Sequence, residues 1–270
     1  MLKERSLLVE RESNQPFKTI REMFGLVSEK PVIIAGPCSV ENMGYMEEVA
    51  GILVQYGIRF IRGGAYKPRT SPYAFQGLRE DGLRILSEVS RKYGLFSVTE
   101  VVDTRDVEKV GSLVDILQVG SRNMSNYELL KETGRSGKAV LLKRGMCATT
   151  EEFKYAAEYI AAEGNRRIIL CERGVRTFDD KTRNMLDICS IPILKKETSL
   201  PVMVDLSHSL GRKDIMPVIA GAVLAAGADG LMVEVHPRPE LALSDAQQQL
   251  SVDEFIRLLK SLRTKEGYDA

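Results

Sequence analysis

Tryptophan is absent from the 270 residues, histidine occurs only twice, and cysteine four times. Each shortage excludes something. Cys38, Cys147, Cys171 and Cys189 stand singly with no CxxC pair, which rules out a disulfide scaffold or zinc ribbon and suits a reducing compartment. No apolar run approaches the roughly 18 residues of a membrane span. The opening MLKERSLLVERES lacks the apolar stretch of a signal peptide. A cytoplasmic protein with no membrane partner is expected. Neither sign of charge is in excess: 38 Lys+Arg oppose 37 Asp+Glu, a net of +1. A general nucleic-acid binder needs a broad cationic face, so no nucleic-acid partner is expected either.

What is present is ordinary for a soluble globular chain, with 44% hydrophobic and 28% charged residues. Short apolar runs rich in β-branched residues alternate with longer amphipathic stretches. The runs are 32–35, 58–61, 95–99, 116–119, 139–142, 168–170, 202–204 and 231–233. Continuous runs of this kind fit strands buried on both faces, as a parallel sheet requires. Helical patterns fill the gaps at 45–56, 82–93, 104–110, 126–133, 150–162, 183–196 and 214–226, and another follows at 252–262. Several of them stop at a glycine, as at Gly57, Gly94, Gly164 and Gly227.

Eight strands, each followed by a helix, predict an α/β protein with the (β/α)8 barrel fold, whose usual length is about 250 residues. The competitor, a doubly wound open sheet, usually has fewer strands and often a glycine-rich fingerprint after the first, which is missing here. Residues 1–30 lie outside the repeat and are expected to form an arm over the barrel floor. Residues 31–270 are expected to be one catalytic barrel without a separate regulatory domain.

In such barrels the active site lies at the C-terminal strand ends. Those ends carry Cys38; Arg62 with Lys67 and Arg69; Glu100; Arg122; Lys143; Arg173; Asp205 and His208; and Glu234. Any one of these is, by default, a solvated loop charge. All eight ends being so equipped, while the opposite ends are mostly turn formers, predicts a site at one mouth. Arg62, Lys67, Arg69, Arg122, Lys143 and Arg173, with Arg144 adjacent, would repel one another without anions. They point to substrates bearing phosphates or carboxylates. Cys38, His208, Glu234 and Asp245 form a mixed soft and hard donor set that suits a divalent transition metal. Only the barrel would bring these four together, and Cys38 as a small core residue or Glu234 as a structural charge stay open. His236 remains open as an alternative ligand, a partner behind the ligands, or an exposed loop residue.

The segments Gly36-Pro37-Cys38-Ser39-Val40-Glu41 and Arg62-Gly63-Gly64-Ala65-Tyr66-Lys67-Pro68-Arg69-Thr70-Ser71-Pro72 resemble the 3-deoxy-D-arabino-heptulosonate 7-phosphate (DAHP) synthases of the short type Iβ branch. So do Val119-Gly120-Ser121-Arg122-Asn123, Leu142-Lys143-Arg144-Gly145, Cys171-Glu172-Arg173-Gly174, Asp205-Leu206-Ser207-His208-Ser209, Met232-Val233-Glu234-Val235-His236-Pro237 and Leu243-Ser244-Asp245-Ala246. The matches run in order through nearly the whole chain.

The resemblance implies a transferase that condenses phosphoenolpyruvate with erythrose 4-phosphate and water, giving DAHP and phosphate at the first step of the shikimate pathway to aromatic amino acids. It implies Arg122 and Arg173 on the phosphoenolpyruvate phosphate, Arg62 and Lys143 near its carboxylate, and Arg69 and Thr70 on the erythrose 4-phosphate phosphate. Cys38, His208, Glu234 and Asp245 become the ligands of one divalent ion, with Mn2+ the first choice and Fe2+, Co2+ or Zn2+ admissible. His208 thereby counts among the catalytic residues. The chemistry of the condensation itself assigns Lys67, expected close to the ion, as general acid for the developing alkoxide, and Glu100, at the end of the third strand, as activator of the attacking water. Two alternatives remain: 3-deoxy-D-manno-octulosonate 8-phosphate synthase, which takes arabinose 5-phosphate, and a non-catalytic anion-binding barrel. The Lys67-Pro68-Arg69-Thr70 segment favours the heptulosonate branch. Family members imply a homotetramer or homodimer.

Overall fold

A computed structural model describes residues 7–28, 30–69 and 71–265, with side chains as far as 262. Eight strands run in parallel and close in sequence order into a barrel, β8 pairing with β1. They are β1 (Val32–Gly36), β2 (Phe60–Arg62), β3 (Phe96–Glu100), β4 (Ile116–Val119), β5 (Ala139–Lys143), β6 (Ile168–Glu172), β7 (Val202–Asp205) and β8 (Gly230–Glu234). The helices are α1 (Ile20–Phe24), α2 (Met43–Gln55), α3 (Glu80–Tyr93), α4 (Val107–Leu113), α5 (Tyr127–Arg135), α6 (Thr150–Ala162), α7 (Ser190–Glu197), α8 (Leu206–Leu210), α9 (Met216–Ala225) and α10 (Val252–Lys265). Among the described residues no helix is long and apolar enough to cross a membrane.

Most of the expected strands and helices are found close to their expected bounds, and several carry a local start or stop signal. Thr149 starts α6 with a complete capping box to Glu152. Gly94 ends α3 in the left-handed region at φ 64°. Two departures matter for the site. The helix expected from 183 begins only at Ser190, because 173–189 is a rim loop. Its two limbs pair at Val175 and Met185, and the amides of Arg183 and Asn184 donate to the carbonyls of Leu210 and Ser209. The short helix α8, starting directly after β7, was not anticipated. Asp205 caps it by accepting from the amide of His208 at 3.0 Å.

Strand residues alternate between two apolar layers. Ile34, Phe60, Val98, Ile116, Leu141, Ile169, Met203 and Met232 fill the barrel interior, while Ala35, Ile61, Leu117, Leu142, Leu170, Val204 and Val233 face the helices. The period of two then dictates what the mouth receives. Two positions beyond an interior Phe60, Val98, Leu141, Cys171, Met203 and Met232 come Arg62, Glu100, Lys143, Arg173, Asp205 and Glu234. The same pleat that packs the core aims these side chains upward.

The floor is closed by the N-terminal segment. Ile20 and Met23 of α1 join the interior layer, and the Phe24 ring stands 5.1 Å from that of Phe60 and 4.8 Å from that of Phe96. Arg167 lies over the outer face of Phe24. A cavity of about 340 Å³ beside this plug has mostly apolar walls, among them Ile33, Leu231 and Leu259. Ser28, Lys30 and Arg59 also line it.

Candidate active site

The four suspected metal donors meet. One ligand atom from each of Cys38, His208, Glu234 and Asp245 lies within 4.8 Å of every other. Cys38 follows β1, where its amide donates to Gln249 Oε1 at 2.9 Å. His208 sits on α8, Glu234 ends β8, and Asp245 stands in the loop beyond at φ 48°. His208 Nε2 is 3.4 Å from Glu234 Oε1 and 3.6 Å from Asp245 Oδ2, and Cys38 Sγ is 3.6 Å from Asp245 Oδ2. A tetrahedral shell with bonds of about 2.0–2.3 Å spaces its ligands about 3.3–3.8 Å apart. The donors present therefore fit a divalent ion in type, and the three separations given fall within that spacing.

Their protonation states are set by burial against charge. Burial pushes the Cys38 thiol up to about 12, the Glu234 charge adding to this and Lys67 opposing it. Burial also lowers His208, favouring the neutral imidazole that a metal requires. It works to raise Asp245, but Arg183 and His208 overcome it and hold that carboxyl at about 2. Glu234 likewise stays below its ordinary value, with His208 and Arg62 outweighing burial.

Beside the cluster opens a cavity of about 420 Å³ whose walls include all six expected cations: Arg62, Lys67, Arg69, Arg122, Lys143 and Arg173. Glu100, His208 and Asp245 also reach it, while Cys38 and Glu234 are fully buried behind it. Thr70 lies outside the described residues. Lys67 stands where the two regions join, its Nζ donating at 3.0 Å to both the carbonyl oxygen and Sγ of Cys38. A Cβ on Gly64 would fall 2.7 Å from Lys67 Cδ and 2.8 Å from the Cys38 oxygen, so only glycine leaves that path open. Glu100 is placed by a similar device. A Cβ on Gly120 would come within 2.0 Å of its carboxylate oxygen.

The structure corrects some details. The cations are not free of anions inside the protein: Arg62 pairs with Glu234 at 3.0 Å, and Lys143 pairs with Asp205. Both pairs are buried, and a charge deprived of water must find a partner. Arg144 is turned away into its own pairing with Glu172 and Asp187, each at 2.8 Å. His236 is neither exposed nor in the donor cluster; it is fully buried, with Nε2 3.4 Å from Glu41.

Sequence reasoning missed Gln118, Arg176, Arg183 and Asn184 on the cavity wall, and Gln248 behind it. Gln118 was within reach of the alternation rule, two positions beyond the interior Ile116. Arg183 and Asn184 were hidden by the helix expected over them. Arg183 donates to Asp245 at 3.1 Å, and Gln248 Nε2 donates to Asp245 at 3.1 Å and to Glu234 at 2.5 Å.

With this geometry established, resemblance to known proteins is specific. Residues 21–267 match the model of the DAHP synthetase I family. A phospho-2-dehydro-3-deoxyheptonate aldolase from Thermotoga maritima is 52% identical over 231 residues, covering 86% of this chain and 68% of the relative. A 2-dehydro-3-deoxyphosphooctonate aldolase from Methylococcus capsulatus is 33% identical, covering 93% of this chain and 94% of the relative. The crystal structure of the Thermotoga maritima DAHP synthase superposes with a TM-score of 0.91 at 46% identity, covering 98% of this chain and 78% of that one.

Proposed function

The chain belongs to the DAHP synthetase I family, and on that premise we propose that the cationic cavity and the donor cluster beside it perform the family's reaction. As an enzyme of this family it condenses phosphoenolpyruvate with erythrose 4-phosphate and water, giving DAHP and inorganic phosphate. The observation that carries the site assignment is the shared wall. His208 and Asp245 belong both to the metal-type cluster and to the lining of a cavity with six cations. A pocket for two phosphates and a carboxylate thus opens directly onto a site that can hold a Lewis acid.

Arg122 and Arg173 bind the phosphate of phosphoenolpyruvate, where guanidinium forks match its oxygens. Arg62 and Lys143, paired with the buried carboxylates of Glu234 and Asp205 before substrate arrives, receive its carboxylate. Arg69, with Thr70, takes the phosphate of the aldose and so places its aldehyde at the far end, toward Lys67. Cys38, His208, Glu234 and Asp245 hold the divalent ion, for which Mn2+ is our assignment. When bound, such an ion polarises the aldehyde carbonyl.

As C3 of the enol attacks that carbonyl, Lys67 delivers a proton to the developing alkoxide. Its ammonium already points toward the cluster, 3.0 Å from Cys38 Sγ. Positive charge left at C2 is captured by water, from which Glu100 withdraws a proton. The resulting hemiketal phosphate loses phosphate by C–O cleavage. The cation set stabilises the negative charge that moves onto the departing group.

The decisive experiment assays phosphoenolpyruvate with erythrose 4-phosphate and with arabinose 5-phosphate, each with and without chelator. Faster turnover of erythrose 4-phosphate, lost on chelation and restored by Mn2+, is expected. A preference for arabinose 5-phosphate would transfer the chain to the octulosonate activity. No turnover of either would leave only an anion-binding barrel.

The assembly is assigned as a homotetramer or homodimer in the cytoplasm. The exposed, stacked rings of Tyr127 and Tyr159 on adjoining helices support a subunit contact. Light scattering of the purified protein reads the number.

A further inference from the structure

The carboxylate of Asp205 is fully buried and lies outside both the donor cluster and the cavity lining. It nevertheless touches a member of each. Its Oδ2 accepts from Nδ1 of His208 at 2.8 Å and from Nζ of Lys143. Its Oδ1 accepts from the amide of His208 at 3.0 Å. One side chain thus fixes the backbone, the ring and the tautomer of a metal-type ligand. With Nδ1 donating to Asp205, Nε2 is left bearing a lone pair toward Glu234 and Asp245. The same oxygen holds the ammonium of a lysine that faces the substrate cavity.

From this geometry we infer that Asp205 is a positioning residue that couples metal binding to phosphoenolpyruvate binding. The inference rests on the site reading given above and extends it. Two donors compete for one oxygen. When the substrate carboxylate draws Lys143 toward itself, Asp205 is released to His208 and its full charge makes the imidazole a better ligand. When an ion takes Nε2, the ring's hold on Asp205 strengthens and Lys143 is freed for the anion. Linkage requires the two effects to be equal in free energy.

The test uses the full-length protein with Co2+ as probe, followed by its thiolate charge-transfer absorption, and phosphoenolpyruvate binding by calorimetry with and without the ion. In the wild type each ligand is expected to tighten the other by the same factor. In Asp205→Asn, Co2+ affinity should fall about 10–100-fold, the usual loss for a group that orients a ligand. Phosphoenolpyruvate affinity without the ion should rise, because Lys143 is no longer held by a carboxylate, and the mutual enhancement should disappear.

A second pair of variants decides the matter even if Asp205→Asn does not fold. Lys143→Met leaves Asp205 entirely to His208 and should raise Co2+ affinity about fivefold, the low end of ordinary coupling. Arg176→Met removes a cation of the same cavity wall that holds no assigned substrate group and touches neither Asp205 nor His208, and should leave Co2+ affinity unchanged. Equal effects from the two lysine and arginine variants, or a folded Asp205→Asn that keeps the wild-type coupling, would overturn the inference. If the wild type itself shows no thiolate band or binds no phosphoenolpyruvate, the underlying site reading fails instead.

Discussion

Arg62 and Glu234 form a buried ion pair, Nη1 to Oε1 at 3.0 Å, that joins the floor of the anion cavity to a metal-type ligand. Neither side chain has an alternative in water, so neither can be removed alone without exposing the other to an uncompensated field.

Arg62→Met should therefore cost more than a substrate contact. Breaking a buried pair by deleting one partner costs about 3–5 kcal/mol, readable as a lower urea midpoint with an unchanged slope. Phosphoenolpyruvate affinity should fall in the same variant. A variant with full stability and a raised KM alone would show that the pair contributes nothing to the fold.

Glu100→Gln should lower kcat by about 10²–10⁴, the range for losing a general base, with little change in KM for either substrate. Gly120→Ala should reproduce part of that loss without touching a charge, because its methyl would occupy the space of the Glu100 carboxylate. Steady-state kinetics on both variants check this. A Gly120→Ala enzyme of normal kcat would mean that Glu100 has another position available, or no role.

Chelated protein should become less stable as the medium is acidified from about pH 4 toward pH 2. Asp245 is held at about 2, against an ordinary 3.8, chiefly by Arg183 working against burial. A lowered native pKa contributes stability that is complete above the unfolded value and is lost as pH falls through the native one. Arg183→Met should narrow this pH dependence, since the carboxyl would then protonate nearer its ordinary value. Chemical denaturation of both proteins at about pH 6 and pH 3 reads the difference.

Phe24→Ala should cost about 2–3 kcal/mol, somewhat less than a fully buried phenylalanine because the ring is only partly covered. Its neighbours Phe60 and Phe96 lie at the floor, at the opposite end of the barrel from the cations. The melting temperature should drop while both KM values hold. A change in substrate affinity would show that the plug reaches the mouth.

Cys38→Ala should lose Co2+ affinity by more than the roughly 10–100-fold that follows loss of a group orienting a ligand, since it removes a ligand itself. The buried small residue should be tolerated by the fold. Full metal content in this variant, measured after dialysis, would remove Cys38 from the ligand set.

Much of this was legible in the chain. Alternation of apolar runs with amphipathic stretches specifies parallel strands separated by helices, since a strand buried on both faces has no polar side to spare. The interior side chain two positions before Lys143 or Arg173 already fixes where those cations point. Thr149 and Gly94 mark helix ends through hydrogen bonds and backbone conformations that are local in sequence. What the chain alone could not decide are contacts among residues with no fixed spacing. Arg183 reaches Asp245 across 62 positions, and Gln248 ties that carboxylate to Glu234. Asp205 sits three residues from His208, yet its second partner Lys143 is 62 positions away. Which cation neutralises which buried carboxylate follows from closing the barrel, because only then do strand ends distant in sequence share one low-dielectric space. The local pattern determined which charges face the mouth; tertiary closure decided how they pair.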